Sequence, residues 1–465
     1  MAGKKTQAQL TPEEKLQQAL VPTAEQPYKV PANWCWTRLG IVSIFERGIT
    51  FPASGKEKEK SENNLPCIRT TNIQEELELE DIIYIDKKYI KNNENKLVKT
   101  NDIIMSSANS RELVGKVIYV HNIFEPMTFG GFVLVIRTKD IFNKFLFYFL
   151  RLEFLAGHFM GKSAQTTNIA NISTANLSSY CIPLPPLPEQ QRIVERIESL
   201  FAKLDEAKEN MQNVLDGFET RKAAILHKAF TGELTANWRK QHGMSMDSWE
   251  EKRLGKVCKI NPSKINTKNL SDDLEVSFFP MASLSEITGE IVGPEIRTLG
   301  KVKNGFTNFS EGDVVFAKIT PCMENGKSAI IGKLINDIGY GTTEFYVLRC
   351  GEELSNKYLH HIVRSKKFRD EAKQNMTGAV GQQRVPKKYI EDYTLNLPTF
   401  SEQTEIVRII DDLLAKEQQA KELAENALDK IELIKKSILA RAFRGELSTN
   451  NLADEPAVEL LKRML

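Results

Sequence analysis

The chain lacks most of what would mark a metalloenzyme, a secreted protein or a membrane protein. Its six cysteines (Cys35, Cys67, Cys181, Cys258, Cys322, Cys350) form no Cys-x-x-Cys pair, and none of its six histidines stands at ligand spacing beside them. A reduced compartment and no structural metal are expected. No charge of one sign dominates: 63 basic against 61 acidic side chains leave +2. That balance neither announces nor excludes a nucleic-acid partner, because a basic face can be offset elsewhere on the surface. Long apolar runs are missing too. The longest, around Phe145–Phe159, is interrupted by Arg151, Glu153 and His158, so no membrane span is expected. The start, MAGKKTQAQLTPEEK, has no apolar stretch of a secretory leader. The expected location is the cytoplasm.

One nucleotide motif is present only in outline. Ala156–Ser163, AGHFMGKS, fits a loose phosphate-loop pattern, but such a loop needs glycines leaving a strand so that backbone N–H groups converge on phosphates. Here the stretch follows the helical run KFLFYFLRLEFL and is filled by His158, Phe159 and Met160. It is read as accidental.

What the chain does contain is a duplication. Glu189–Leu234 and Glu402–Leu447 align without a gap and share 23 of 46 residues, ending AFTGEL and AFRGEL. Each copy carries apolar positions at alternating steps of four and three, the pattern of a coiled-coil seam. The first seam runs through Ile197, Leu200, Leu204, Met211, Phe218 and Arg221; the second through Ile410, Leu413, Glu417, Ile431, Ile434 and Ile438. Glycine ends each helix, and prolines (Pro183, Pro185, Pro186 and Pro188; Pro398) precede each start. About 40 residues at ~1.5 Å each predict a rod of roughly 60 Å. Arg221 and Glu417 are the charged members of the seams. An antiparallel pair that sets them face to face also sets Leu204 opposite Ile434 and Leu200 opposite Ile438, so that arrangement, about a pseudo-twofold, is predicted.

Upstream of each rod lies a stretch with shared landmarks and divergent contents. Trp34 with Arg38-Leu39-Gly40 matches Trp249 with Arg253-Leu254-Gly255; Asp102 before IIMSS matches Asp313 before VVFAK; Arg137 closing FVLVIR matches Arg349 closing FYVLR. Short β-rich runs, then a helical segment (near Asn143–Met160 and Asn356–Gln374), then an amide-rich stretch predict an α/β (α+β) domain in each case. Trp34 and Trp249 read as core anchors. His360-His361 reads as a packing and surface pair. Two similar rods suit two copies of one partner, and two divergent domains suit reading two different things on a linear polymer. DNA is the obvious candidate.

With PLPEQQRIVERI and the two AFxGEL endings in place, the layout from about Lys15 onward resembles the specificity (S) subunit of Type I restriction-modification systems. The opening LTPEEKLQQALVP and the closing EPAVELLKRML look like that family's ends. The resemblance implies an N-terminal arm with a short helix (1–33), target recognition domain 1 (34–185) and a central conserved helix (186–235). Target recognition domain 2 (236–398), a distal conserved helix (399–447) and a C-terminal helix (448–465) follow. It implies a non-catalytic subunit that reads a split, asymmetric target in double-stranded DNA, one half per domain, with the helices setting the gap. Two methyltransferase subunits, which bind S-adenosylmethionine, and two translocating endonuclease subunits, which use ATP and Mg, are the implied partners; no cofactor is expected in this chain. The target-base loop of adenine methyltransferases, Asx/Ser-Pro-Pro-aromatic, finds no match in Pro185-Pro186-Leu187 or Asn261-Pro262-Ser263.

Base and phosphate contacts call for arginine, lysine, asparagine and glutamine on loops. The candidates in the first domain are Arg69, Thr70, Asn109, Arg111, Ser163, Gln165, Thr166 and Asn168. In the second they are Lys318, Asn325, Lys327, Gln382, Gln383 and Arg384. The rival expectation is a coiled-coil adaptor without DNA contact, which leaves the divergence of the two domains unexplained.

Overall fold

The computed structural model describes residues 11–91, 93–160, 164–166, 169–379 and 381–465. The chain divides into two compact units, Met1–Met211 with Asn426–Leu465, and Gln212–Glu425. Each contains the start of one long helix and the end of the other.

In the first unit an antiparallel sheet orders Ser43–Arg47, Val133–Thr138, Ile103–Ser106 and Val117–Tyr119. Its central strands are apolar without alternation because both faces are covered. Ile103, Met105, Leu134 and Ile136 point to a core shared with the helix Asn143–Leu155. Their neighbours Ile104, Val133 and Val135 point to a core shared with Ile68 and Phe129. Those two residues belong to a second sheet, ordered Lys56–Glu57, Ile83–Asp86, Asn64–Ile68, Thr128–Phe129. Helix, sheet and sheet thus form three layers. Entry strand Cys35–Arg38 pairs with exit strand Cys181–Leu184, so the chain leaves the domain beside where it entered.

The second unit repeats the plan. Its sheet orders Cys258–Ile260, Phe345–Cys350, Val314–Ala317 and Ser328–Ile330, and again Val314, Phe316, Tyr346 and Leu348 face the helical core while Val315, Phe345 and Val347 face the other. Glu250–Arg253 pairs with Thr394–Leu397. The same ion pair on a buried aspartate ties the sheet in both: Arg137 Nε to Asp102 Oδ1 and Arg349 Nε to Asp313 Oδ1, each 2.8 Å. The second sheet is where the units part. In the second unit it orders Glu295–Thr298, Glu275–Phe279, Gly339–Gly341, Thr307–Phe309, a strand arrangement without a full counterpart in the first.

The long helices are unequal, contrary to the expectation of two like rods. The second runs unbroken from Phe400 to Phe443, whereas the first is Leu187–Asp216 followed by Phe218–Phe230, interrupted at Gly217. Glycine is the weakest helix former after proline, and here it makes room: a Cβ at Gly217 would lie 2.3 Å from Arg221 Nη1. Arg221 Nη2 donates to the Val214 carbonyl at 2.7 Å, taking up an acceptor at the break.

Within each unit the two helix segments run antiparallel. In the second, Arg221 Nε donates to Glu417 Oε2 at 2.7 Å and Lys421 lies over the Phe218 ring; in the first, Lys435 Nζ reaches Asp205 Oδ1 at 2.6 Å. These pairs share the register that the sequence predicts. One seam residue departs from it. Ile434 is 44% exposed, and Lys435 lies inward over the Phe201 ring instead. A straight helix of 3.6 residues per turn walks around a seam spaced at 3.5, which brings the next residue inward. Ile197, Ile410 and Ile431 are buried; Leu200, Leu204, Met211, Phe218, Leu413 and Ile438 are half-buried. No helix among the described residues is long and apolar enough to cross a membrane.

The Glu-Gln pair at the start of each long helix explains why the helix ends are spelled twice. Glu189 is fully buried and accepts from the indole of Trp34 (2.8 Å), Asn450 Nδ2 (2.9 Å) and Thr449 Oγ1 (3.4 Å). Glu402, also fully buried, accepts from the indole of Trp249 (3.0 Å), Thr235 Oγ1 (2.7 Å) and Arg239. The donors other than tryptophan follow the AFxGEL motif of the opposite long helix. Gln190 and Gln403 do a second matched task, accepting from the Phe142 and Ser355 backbone N–H groups that open each domain's helix, at 2.9 and 2.8 Å.

The two brackets differ in charge, and their stability should differ accordingly. Glu402→Gln strands the buried guanidinium of Arg239 and is expected to cost about 3–5 kcal/mol. Glu189→Gln keeps neutral partners and should cost about 1 kcal/mol or less. Burial raises the Glu189 carboxyl above its ordinary 4.5, against the hydrogen bonds from Trp34 and Asn450. A raised carboxyl favours the fold below about 4.5 and loses that contribution as pH rises through the folded value. Glu189→Gln should remove this part of the pH dependence. Urea unfolding of both variants between pH 4 and 8 measures all three effects.

Candidate nucleic-acid interface

The polar candidates of the first unit gather where the chain leaves the central sheet. Past Ile103–Ser106 it continues into Ala108–Asn109, which pairs with Ile169–Asn171, itself paired with Ala164–Thr166. Asn109, Gln165 and Thr166 therefore share one three-stranded antiparallel sheet. The backbone alone places the last two, and Ser163 and Asn168 lie outside the described residues. Asn109 is partly committed: its Oδ1 accepts from Ser110 N at 2.8 Å and its Nδ2 donates to Ser106 Oγ at 3.2 Å. Arg111, two residues further on, is exposed.

Arg69 and Thr70 open a turn after the second-sheet strand Asn64–Ile68. This turn is tied to the first group, since Lys116 Nζ donates to Gln74 Oε1 at 2.8 Å. Arg69 itself is turned to the protein: Nη2 donates to the Asp81 carbonyl at 2.6 Å, and Nε is buried. Its guanidinium braces a loop.

The second unit builds the corresponding place from Lys318–Lys327 and the paired residues Thr377 and Arg384. Lys318 and Gln383 are joined through Thr320 and Val385: Gln383 N donates to Thr320 Oγ1 at 3.2 Å and Val385 N to the Lys318 carbonyl at 2.9 Å. Asn325 and Lys327 sit on the turn between the central strand Val314–Ala317 and the edge strand Ser328–Ile330, where Asn325 Nδ2 reaches Glu286 Oε2 at 3.3 Å. Gln382 is exposed. Arg384 closes its fork on Glu344, Nε to Oε2 at 2.9 Å and Nη2 to Oε1 at 2.8 Å. That pairing holds the Glu344 carboxyl below its usual range.

The sequence reading missed Glu344 and two arginines on the domain's helices. Arg364 Nη2 donates to the carbonyls of Glu286 (3.2 Å) and Ile287 (2.8 Å), and Arg369 Nη1 to that of Glu324 (2.6 Å). They hold the two loops that carry Asn325 and its partner. Their charge is felt nearby: burial, then repulsion from Arg364, Arg369 and Lys421, lowers the Lys222 ammonium, with Glu219 opposing. His360 meets Ser328 Oγ at 3.3 Å and His361 meets Asp411 at 3.0 Å; the two rings serve different neighbours.

Two copies of one scaffold, each ending in a set of polar loops braced from behind, define a protein that presents two related but distinct recognition surfaces. The Type I restriction modification DNA specificity domain family matches residues 31–215 and 246–427, and the chain belongs to that family, carrying its domain twice. Among curated relatives, the Type I restriction enzyme EcoKI specificity subunit of Escherichia coli (strain K12) is 27% identical over 438 residues, 92% of each chain. The StySPI specificity subunit of Salmonella potsdam is 26% identical over 439 residues, again 92% of each. The crystal structure of the HsdS subunit from Thermoanaerobacter tengcongensis has the same fold: TM-score 0.63 at 20% identity, covering 91% of this chain and all of that one.

Arg111 and Arg384 should play different parts, one toward DNA and one toward the fold. Arg111→Ala removes an exposed cation and is expected to weaken binding about equally on all sequences and to lower the salt slope by about one. Arg384→Ala breaks a two-pronged ion pair and should loosen the Thr377–Arg384 backbone pairing, seen as faster exchange of those two amides. Fluorescence-anisotropy titrations at several salt concentrations check the first; hydrogen exchange checks the second.

Proposed function

We propose that the chain is the DNA-reading subunit of a Type I restriction-modification complex and has no chemistry of its own. Each unit reads one half of a split, asymmetric target in double-stranded DNA. One observation carries the reading: the buried Glu-Gln brackets, the first sheet and its Asp–Arg pair recur at matched positions in both units, while the polar loop ends do not. Arg384 faces Glu344 in one unit, and Asn171 occupies the corresponding strand position in the other. A scaffold kept in duplicate with unlike reading ends is suited to two unlike half-sites.

The long helices would hold two modification subunits at equivalent surfaces. Leu187 and Phe400, the matched first residues of the long helices, are exposed by 45% and 53%. An exposed large apolar residue at the same point of two repeats favours the same partner twice. S-adenosylmethionine would then bind to the modification subunits, and ATP and Mg to two restriction subunits, with the assembly in the cytoplasm. Domain limits at 34–185 and 236–398 suit an exchange experiment. Replacing residues 34–180 with the matching segment of another such chain should change one half of the methylated motif and leave the other intact, as read by genome-wide mapping of methylated adenine. Methylation that is unchanged when this chain is deleted would refute the proposal.

A further inference from the structure

Backbone hydrogen bonds identify matched residues in the two units even where their side chains are unrelated. In the first unit Ser107 N donates to the Phe132 carbonyl at 3.0 Å and Ile172 N to the Ser107 carbonyl at 2.8 Å. In the second, Lys318 N donates to the Glu344 carbonyl and Val385 N to the Lys318 carbonyl, both at 2.9 Å. Phe132 and Glu344 thus hold one position in one backbone frame. Each carbonyl serves the fold there, and that of Phe132 accepts from Ser107 Oγ as well, at 3.0 Å.

The side chains at this position differ in kind. Glu344 is half-exposed and engaged by Arg384. Phe132 is 64% exposed and gains little from the core. It stands on the loop that meets Ser107, at the root of the segment carrying Asn109 and Arg111. Its ring offers no hydrogen-bond donor or acceptor, so it cannot read the polar pattern of a base edge. The major groove displays one apolar feature, the 5-methyl group of thymine.

We propose that Phe132 is a specificity-determining residue of the first unit, its ring packing on the 5-methyl group of a thymine in the major groove. This rests on the reading of the chain as a DNA-binding subunit. In the second unit the Glu344–Arg384 pair occupies that place, so the effect belongs to one half of the target.

The test uses the full chain purified from its source cells with its bound subunits, as wild type and as Phe132→Ala. Each selects bound sequences from a randomised double-stranded DNA library. Wild type should yield a split motif, and Phe132→Ala the same motif with one thymine in one half relaxed by about fourfold, the worth of one methyl group taken out of water. Replacing that thymine by uracil, which deletes only the methyl, should weaken wild type by about the same factor and leave Phe132→Ala unaffected. The thermal midpoints of the two proteins should coincide, since the ring is exposed. An unchanged motif, relaxation in both halves, or indifference of wild type to uracil overturns the proposal while leaving the DNA-binding reading intact. A wild type that selects no sequence overturns both.

Discussion

A carboxylate buried in the first turn of each long helix joins three segments that are remote in sequence. Glu189 receives the indole of the domain that precedes it and the residues that follow the end of the other long helix; Glu402 does the same. A helix N-terminus is the place where a negative charge is tolerated best, because the unpaired backbone N–H groups and the helix dipole favour it. The glycine after each AF motif is what delivers the third segment. Gly232 and Gly445 have φ of +81° and +76°, a conformation that reverses the chain at the helix end and that other residues adopt at a cost. Repetition of the motif follows from this geometry: two equivalent carboxylates need two equivalent tails.

With the brackets fixed, variation has few places to go. Strands buried on both faces, such as Ile103–Ser106 and Val314–Ala317, cannot change volume without cost to two cores at once. The Asp–Arg pairs that bind adjacent strands are similarly committed. The segments after these strands, by contrast, share backbone hydrogen bonds that do not depend on side-chain identity at several points. Ser107 and Lys318 do the same structural task with unrelated side chains, as do Phe132 and Glu344. Divergence at constant backbone suits the proposed reading, in which domains of one frame address different bases.

The fold was largely legible in the sequence because its signals are local and periodic. The seams and the AFxGEL terminations follow from spacing, and the register follows from the one charged pair, Arg221 and Glu417, that singles out a single alignment among heptad-shifted ones. The break at Gly217 was not read, since one glycine within a helical pattern costs only about 1 kcal/mol and shows nothing of the arginine that fills the gap. The candidate interface was legible as composition and obscure as geometry. Arg69 and Arg384 have the chemistry of DNA contacts, but their partners, the Asp81 carbonyl and Glu344, lie 12 and 40 residues away. No local pattern announces such pairings. Phe132 escaped for the converse reason: within FVLVIR it looks like one more strand residue, and only its exposure sets it apart.

The central claim is that the two loop ends address different halves of one DNA target. Site-specific photo-crosslinking tests it most directly, with a photoreactive side chain placed at Arg111 in one preparation and at Asn325 in another. Each is irradiated on a duplex carrying the methylated motif, and the modified bases are mapped. The account predicts crosslinks to one half from position 111 and to the other half from position 325. Crosslinks from both positions to the same half, or none from either, would contradict it.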